Sequence, residues 1–102
     1  MSEDAGAAKT PQAVAGRDDA VARLREEGCS APRFWANGPG DTYGRHAHGY
    51  HKVLFCLEGS ITFHAGDGDV ELEPGDRLDL APGVEHGATV GPRGVSCVEA
   101  SR

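Results

Sequence analysis

Five histidines stand in this sequence, and three of them are placed so that they could meet. His46 and His48 are two residues apart, which on extended chain points both imidazoles to one face. His86 follows a Pro82-Gly83 turn and opens a later apolar stretch. A two-apart pair with a distant third is a way for a sheet protein to offer three nitrogens to one divalent ion, leaving positions open for water or substrate. The competing reading is three surface histidines on a turn-rich sheet. His51 has the opposite parity to the pair and reads as an outer-face or edge residue, and His64 alternates with Ile61 and Phe63 toward solvent. Trp35 and Tyr43 precede the pair and either line a cavity mouth or fill the core. Cys56 shares parity with Leu54 and reads as an apolar filler of the interior. Arg33 and Arg77 suit either a substrate carboxylate or surface ion pairs.

The elements that must position these residues are short. The chain has 102 residues, net charge -6, and 15 glycines spread singly among apolar pairs, which is the punctuation of many turns. Strands are expected at Val53 to Leu57, Ser60 to His64, Val70 to Glu73, Leu78 to Leu80, His86 to Val90 and Val95 to Glu99, with one more around Arg33-Phe34-Trp35. Turns at Gly59, Gly66-Asp67-Gly68, Pro74-Gly75, Pro82-Gly83 and Gly91-Pro92 separate them. Such spacing reads as an antiparallel sandwich or barrel. Only 18 residues are Leu, Ile, Val or Phe, and 14 of these lie in residues 50 to 102. The apolar-poor start, residues 1–17, is therefore expected as a flexible tail. Residues 18–28 form a short amphipathic helix with Gly28 at its C-terminal end, and residues 29–102 form the barrel.

Val53-Leu54-Phe55-Cys56-Leu57 is apolar on both faces, so its second face needs a cover. That is either the N-terminal helix or a second copy of the chain, and a homodimer through this face is the expectation. The three cysteines have no metal-type spacing and read as reduced thiols. An acidic balance without a Lys/Arg cluster argues against nucleic acid and membrane surfaces. No apolar stretch nears the ~20 residues needed to span a bilayer, and MSEDAGAAKT is unlike a signal peptide, so a cytoplasmic location is expected.

The region from about 33 to 99 resembles the cupin superfamily. Gly40, then DTYGR, His46-Ala47-His48, GYH, Lys52, VLFCLE and Gly59 follow that family's first motif. After 15 residues, Gly75-DRLDL-Ala81-Pro82-Gly83-Val84-Glu85-His86 follows the second. The resemblance implies an all-β, double-stranded β-helix (jelly-roll) barrel with His46, His48 and His86 as metal ligands. Ala81 stands where the family has Pro, and Val90 where it has Asn. Lys52 stands where the family has an acidic ligand, and its parity turns it toward the same cavity.

An ammonium ~4 Å from a divalent ion costs about 8 kcal/mol even at an effective dielectric of 20. Lys52 is then neutral, or drawn to an acid such as Asp79 or Glu58, or there is no metal, or it holds an anionic substrate or reduced oxygen. Cupin thiol dioxygenases carry three-histidine iron sites of this kind. Two functions follow. One is a small metalloenzyme, dioxygenase-, isomerase- or lyase-like, using Fe, Mn, Ni or Zn on a small polar or anionic molecule, with Lys52 and Tyr43 as catalytic residues. The other is a non-catalytic small-molecule-binding module with a structural metal or none.

Overall fold

The computed structural model describes residues 6–66 and 68–102. In chain order the elements are β1 (Ala7–Thr10), α1 (Arg17–Glu26), β2 (Arg33–Asn37), β3 (Thr42–His46), β4 (Lys52–Ala65), β5 (Gly68–Leu72), β6 (Arg77–Leu80) and β7 (His86–Ser101). All described pairings are antiparallel, in the order β1-β6-β4-β7-β2, with β3 on β7 and β5 on β4. Among the described residues no helix is long and apolar enough to cross a membrane.

Two pairs of expected strands prove to be single long ones. Val53–Leu57 and Ser60–His64 fuse into β4, and His86–Val90 and Val95–Glu99 fuse into β7. Gly59 and Gly94 lie where these two strands bend together, with φ of 73° and 79°. A Cβ on Gly59 would stand 1.9 Å from the Gly94 carbonyl oxygen, so no side chain fits there. The β4–β7 register shifts on both sides of Glu58 and Gly59. This bulge resets the alternation, so Leu54 and Cys56 before it and Ile61 and Phe63 after it all join one inner core.

Sequence alternation does place the inner side chains. Leu54, Cys56, Ile61, Phe63, Leu72, Leu78, Leu80, Val90 and Cys97 are buried together. On the outer side Val53, Phe55, Val98 and Ala100 pack against Ala20 and Leu24 of α1. The cover required by the doubly apolar Val53–Leu57 segment is thus the helix, with Val53 and Phe55 fully buried beneath it. Of the two covers expected for this face, the helix and a second copy of the chain, α1 is the one that packs on it.

The helix ends as its sequence requires. Gly28 has φ 74°, its N–H donates to the Arg25 carbonyl, and the Cys29 N–H reaches back to Leu24. These are the two bonds of a Schellman cap. Asp18 and Asp19 occupy the positive N-terminal turn.

The flexible tail expected over residues 1–17 is also corrected in its described part, while residues 1–5 lie outside the described residues, as does Asp67 of the Gly66-Asp67-Gly68 turn. Ala7–Thr10 pairs with Leu80–Arg77 along the edge of β6. Beyond it the Ala13 and Val14 N–H groups donate to Gly75 O, and the Gln12 N–H donates to Asp76 Oδ1. Composition measures only what side chains can bury. An open sheet edge offers backbone hydrogen bonds to any sequence able to extend.

Candidate metal centre

His46 is the last residue of β3 and His86 the first of β7, and they are directly paired across the ladder. His48 lies just beyond β3, where its carbonyl accepts the Gly83 N–H at 2.8 Å. The Pro82-Gly83 turn before His86 therefore also fixes the chain at His48. The imidazole centroids lie 4.4 Å apart for His46 and His86, 4.9 Å for His46 and His48, and 5.2 Å for His48 and His86. One ring nitrogen from each falls within 4.8 Å of the others. The structure thus brings the three expected histidines together.

Their hydrogen bonds leave the inward nitrogens free. His46 Nδ1 is 2.8 Å from Gly44 O and His86 Nδ1 is 3.0 Å from Val84 O. A carbonyl only accepts, so each Nδ1 carries the proton and each Nε2 keeps a lone pair. This is how metal-binding imidazoles are oriented by their surroundings. Among the described residues, His48 Nε2 is the one buried side-chain nitrogen or oxygen without a hydrogen-bond partner. Buried polar atoms are seldom left alone, so an unpaired nitrogen inside a triad of imidazoles fits a missing ligand.

Burial and nearby charge favour neutral rings at His48 and His86. Burial pushes His48 below the ordinary imidazole range, and Lys52, His46 and His86 push it the same way. Burial lowers His86 as well, against the hydrogen bond to Val84, with further lowering from His46 and Lys52. His86 is only 2% exposed. Neutral imidazole is the form that ligates.

Beside the triad lies a cavity of about 260 Å³ lined by His46, His86, Lys52, Glu99, Arg33, Trp35 and Tyr43, with Leu54 and Phe63 among its apolar walls. Lys52 faces it as its parity predicts. The acid that Lys52 meets is Glu99, 3.3 Å away, and neither Asp79 nor Glu58; the Lys52 and Glu99 side chains are 12% and 13% exposed. The same Glu99 oxygen, Oε1, accepts the Trp35 indole N–H at 2.9 Å. Sequence reasoning missed Glu99, although a signal was present. Val95, Cys97 and Glu99 alternate on one strand, and the first two are inner-core residues.

Tyr43 is edge-on to Trp35, and its hydroxyl donates to Asn37 Oδ1. Burial, then Asp41, raises its phenol above the usual value, so it stays protonated. The other candidates lie elsewhere. His51 Nε2 contacts Asp79 Oδ1 at 2.9 Å, and His64 bridges Asp69 and Thr89. Arg77 is buried away from the cavity and locked to Glu27 and Asp79, which excludes it as a substrate ligand. Arg33 lines the cavity and has no ion pair among the described residues.

Against known proteins, a family model described as the AraC-like ligand binding domain matches residues 33–97. No curated protein sequence matches the chain significantly. Among solved structures, the chain is similar to an uncharacterized conserved protein with a double-stranded β-helix domain from Klebsiella pneumoniae. That match has 28% identity and a TM-score of 0.63, and covers 72% of this chain and 66% of that one. It is similar to the DMSP lyase DddQ from Ruegeria pomeroyi at 25% identity and TM-score 0.66, over 71% and 37% of the two chains. An RmlC-like cupin from Shewanella frigidimarina shares the fold at 24% identity and TM-score 0.62, over 70% and 64%. The chain thus spans just under two thirds of the Klebsiella and Shewanella proteins and little more than a third of the lyase.

Proposed function

The chain belongs to the AraC-like ligand binding domain family, of cupin type, and we propose that it holds a divalent metal through His46, His48 and His86 and presents it to a small anionic molecule in the adjoining cavity. The observation that carries this reading is the buried, unpartnered His48 Nε2 within a triad whose other two rings have their Nδ1 atoms tied to backbone carbonyls. When bound, a first-row ion would supply Lewis acidity to a coordinated oxygen or nitrogen.

The remaining contributions come from the chain's own residues. The charged cavity wall holds two cations, Arg33 and Lys52, against one anion, Glu99. An acidic protein of net charge -6 thus lines this cavity with an excess of positive charge, which draws in anions and repels other cations. Glu99 holds the Lys52 ammonium on the wall and offsets its repulsion of an ion at the histidines. Arg33, with no ion pair among the described residues, is free to take a substrate carboxylate. Tyr43, protonated and fixed by Asn37, serves as a proton donor at the mouth rather than as a base. Trp35, Leu54 and Phe63 exclude water from one side. This arrangement suits a dioxygenase-, isomerase- or lyase-like reaction, and similarity to a lyase supports the last of these.

The family description favours a second reading, in which the cavity holds its ligand without turning it over. Elemental analysis of protein purified without chelator tests the shared premise. Near-stoichiometric metal is expected in the parent and none in His46→Ala/His86→Ala, and a metal-free parent overturns the reading. Turnover of carboxylate substrates by the loaded protein, against binding without turnover, separates enzyme from binding module.

A further inference from the structure

Two of the three cysteines, Cys56 and Cys97, are buried in the inner core and take no part in the site above. They are opposite one another on β4 and β7. The Cys56 N–H donates to Asp76 O at 3.0 Å, and the Cys56 carbonyl accepts the Gly75 N–H at 2.9 Å. Both backbone groups of Cys56 therefore point away from β7, toward the β6 side. That makes Cys56 and Cys97 a non-hydrogen-bonded antiparallel pair, the narrow kind, with Cα atoms ~4.5 Å apart and side chains on one face. A disulfide accepts Cα separations of roughly 4.4–6.8 Å. No strand has to move for these sulfurs to join.

From this register we propose that Cys56 and Cys97 are a redox-active dithiol that closes to an intramolecular cross-strand disulfide when the protein meets hydrogen peroxide. The register sets the two thiols side by side, and their interaction lowers Cys56 and, with burial, raises Cys97. Cys56 is thus the better thiolate and the attacking sulfur. Its Sγ also lies 3.7 Å from Glu58 O and 3.9 Å from Gly59 O, at the bulge where the β4–β7 ladder is interrupted. Local opening at this interruption would admit a small oxidant to the buried sulfur.

The Cys56 thiolate attacks one peroxide oxygen, the O–O bond breaks, and a sulfenic acid forms while the departing hydroxide takes up the proton that the Cys56 thiol released and leaves as water. The Cys97 thiol then attacks that sulfur. An S–S bond forms, the S–O bond breaks, and a second water departs. Two electrons pass from the two thiols to one peroxide. Cys29, half-buried in the outer cluster at the end of α1, is not part of the pair.

The test uses the full chain with Cys29→Ser, treated with hydrogen peroxide in the presence of chelator, then denatured, alkylated and weighed intact. The expected product is lighter by two hydrogen atoms, takes up no alkylating agent, and yields a peptide joining Cys56 to Cys97. Dithiothreitol restores two alkylatable thiols, and the oxidised form melts about 10 °C above the reduced one. Two thiols still alkylated, a cysteine carrying two added oxygens, or a covalent dimer would each overturn the proposal. With Cys29→Ser in the background, Cys56→Ala must keep its one alkylatable thiol after the same treatment, whereas Cys97→Ala must lose it, with Cys56 left as a sulfenic acid that dimedone traps. If either variant does not fold, the peptide map of Cys29→Ser decides alone.

Discussion

Replacing Glu99 by Gln removes the charge that offsets Lys52 while keeping an oxygen for the Trp35 indole. At 3.3 Å and an effective dielectric of about 20, the Lys52–Glu99 attraction is worth ~5 kcal/mol before desolvation. Both groups retain a little solvent, and Lys52 can turn toward the cavity mouth. The expected loss of folding stability is therefore ~2–3 kcal/mol, a fall in Tm of roughly 10–20 °C. Lys52→Met should cost less, because it leaves Glu99 with its indole donor. In Lys52→Met/Glu99→Gln no uncompensated charge remains, and a coupling of about 2 kcal/mol should emerge from the double-mutant cycle in urea.

Metal affinity gives an independent axis. A change of one charge beside a divalent ion amounts to ~1–2 kcal/mol even in a watery setting. Glu99→Gln should weaken zinc or nickel binding about tenfold, and Lys52→Met should tighten it by a similar factor, read by competition with a chromophoric chelator. Additive stabilities together with unchanged metal affinity in both variants would refute the reasoning. They would mean that Lys52 does not depend on Glu99 and that neither charge is felt at the histidines.

Three further outcomes follow from other parts of the molecule. Leu24→Ala should cost ~2–5 kcal/mol in urea unfolding, since Leu24 is fully buried against Val53 and Phe55, and should leave metal affinity unchanged. Gly59→Ala should be more damaging than an ordinary glycine replacement, by about 2 kcal/mol or more, because its Cβ would collide with the Gly94 carbonyl. Acid should weaken the fold at the Arg77 cluster. Hydrogen bonding to Arg77, aided by Arg102, lowers Glu27, while burial raises Asp79 but is outweighed by its bonds from Arg77 and His51. A carboxylate lowered in the folded state stabilises above its unfolded pKa, and that contribution is lost as pH falls through the folded value. Urea stability should thus decline below about pH 4.5, and Arg77→Met should flatten the decline while lowering stability at pH 7. An unchanged acid slope in that variant would count against the cluster.

Much of the site was legible in the sequence because parity and turn chemistry are local. The two-residue spacing of His46 and His48, the Pro82-Gly83 turn before His86, and the inward parity of Lys52 all hold in the fold. Gly28 as the end of α1 holds too, since the left-handed conformation there suits glycine. Glu99 was missed because its partner lies 47 residues earlier in the chain, and the strand register that joins them is a tertiary fact.

By itself, then, the sequence determined the all-β class, the short helix, the inner and outer faces of the strands, and the three imidazoles on one wall. Only the tertiary structure decided that β1 closes the β6 edge, that α1 rather than a second copy covers Val53 and Phe55, and that Cys56 faces Cys97. The reason is physical. Alternation and turn preference act between near neighbours, whereas edge pairing, surface cover and cross-strand register depend on which distant backbone hydrogen bonds and apolar faces remain open once the barrel has formed.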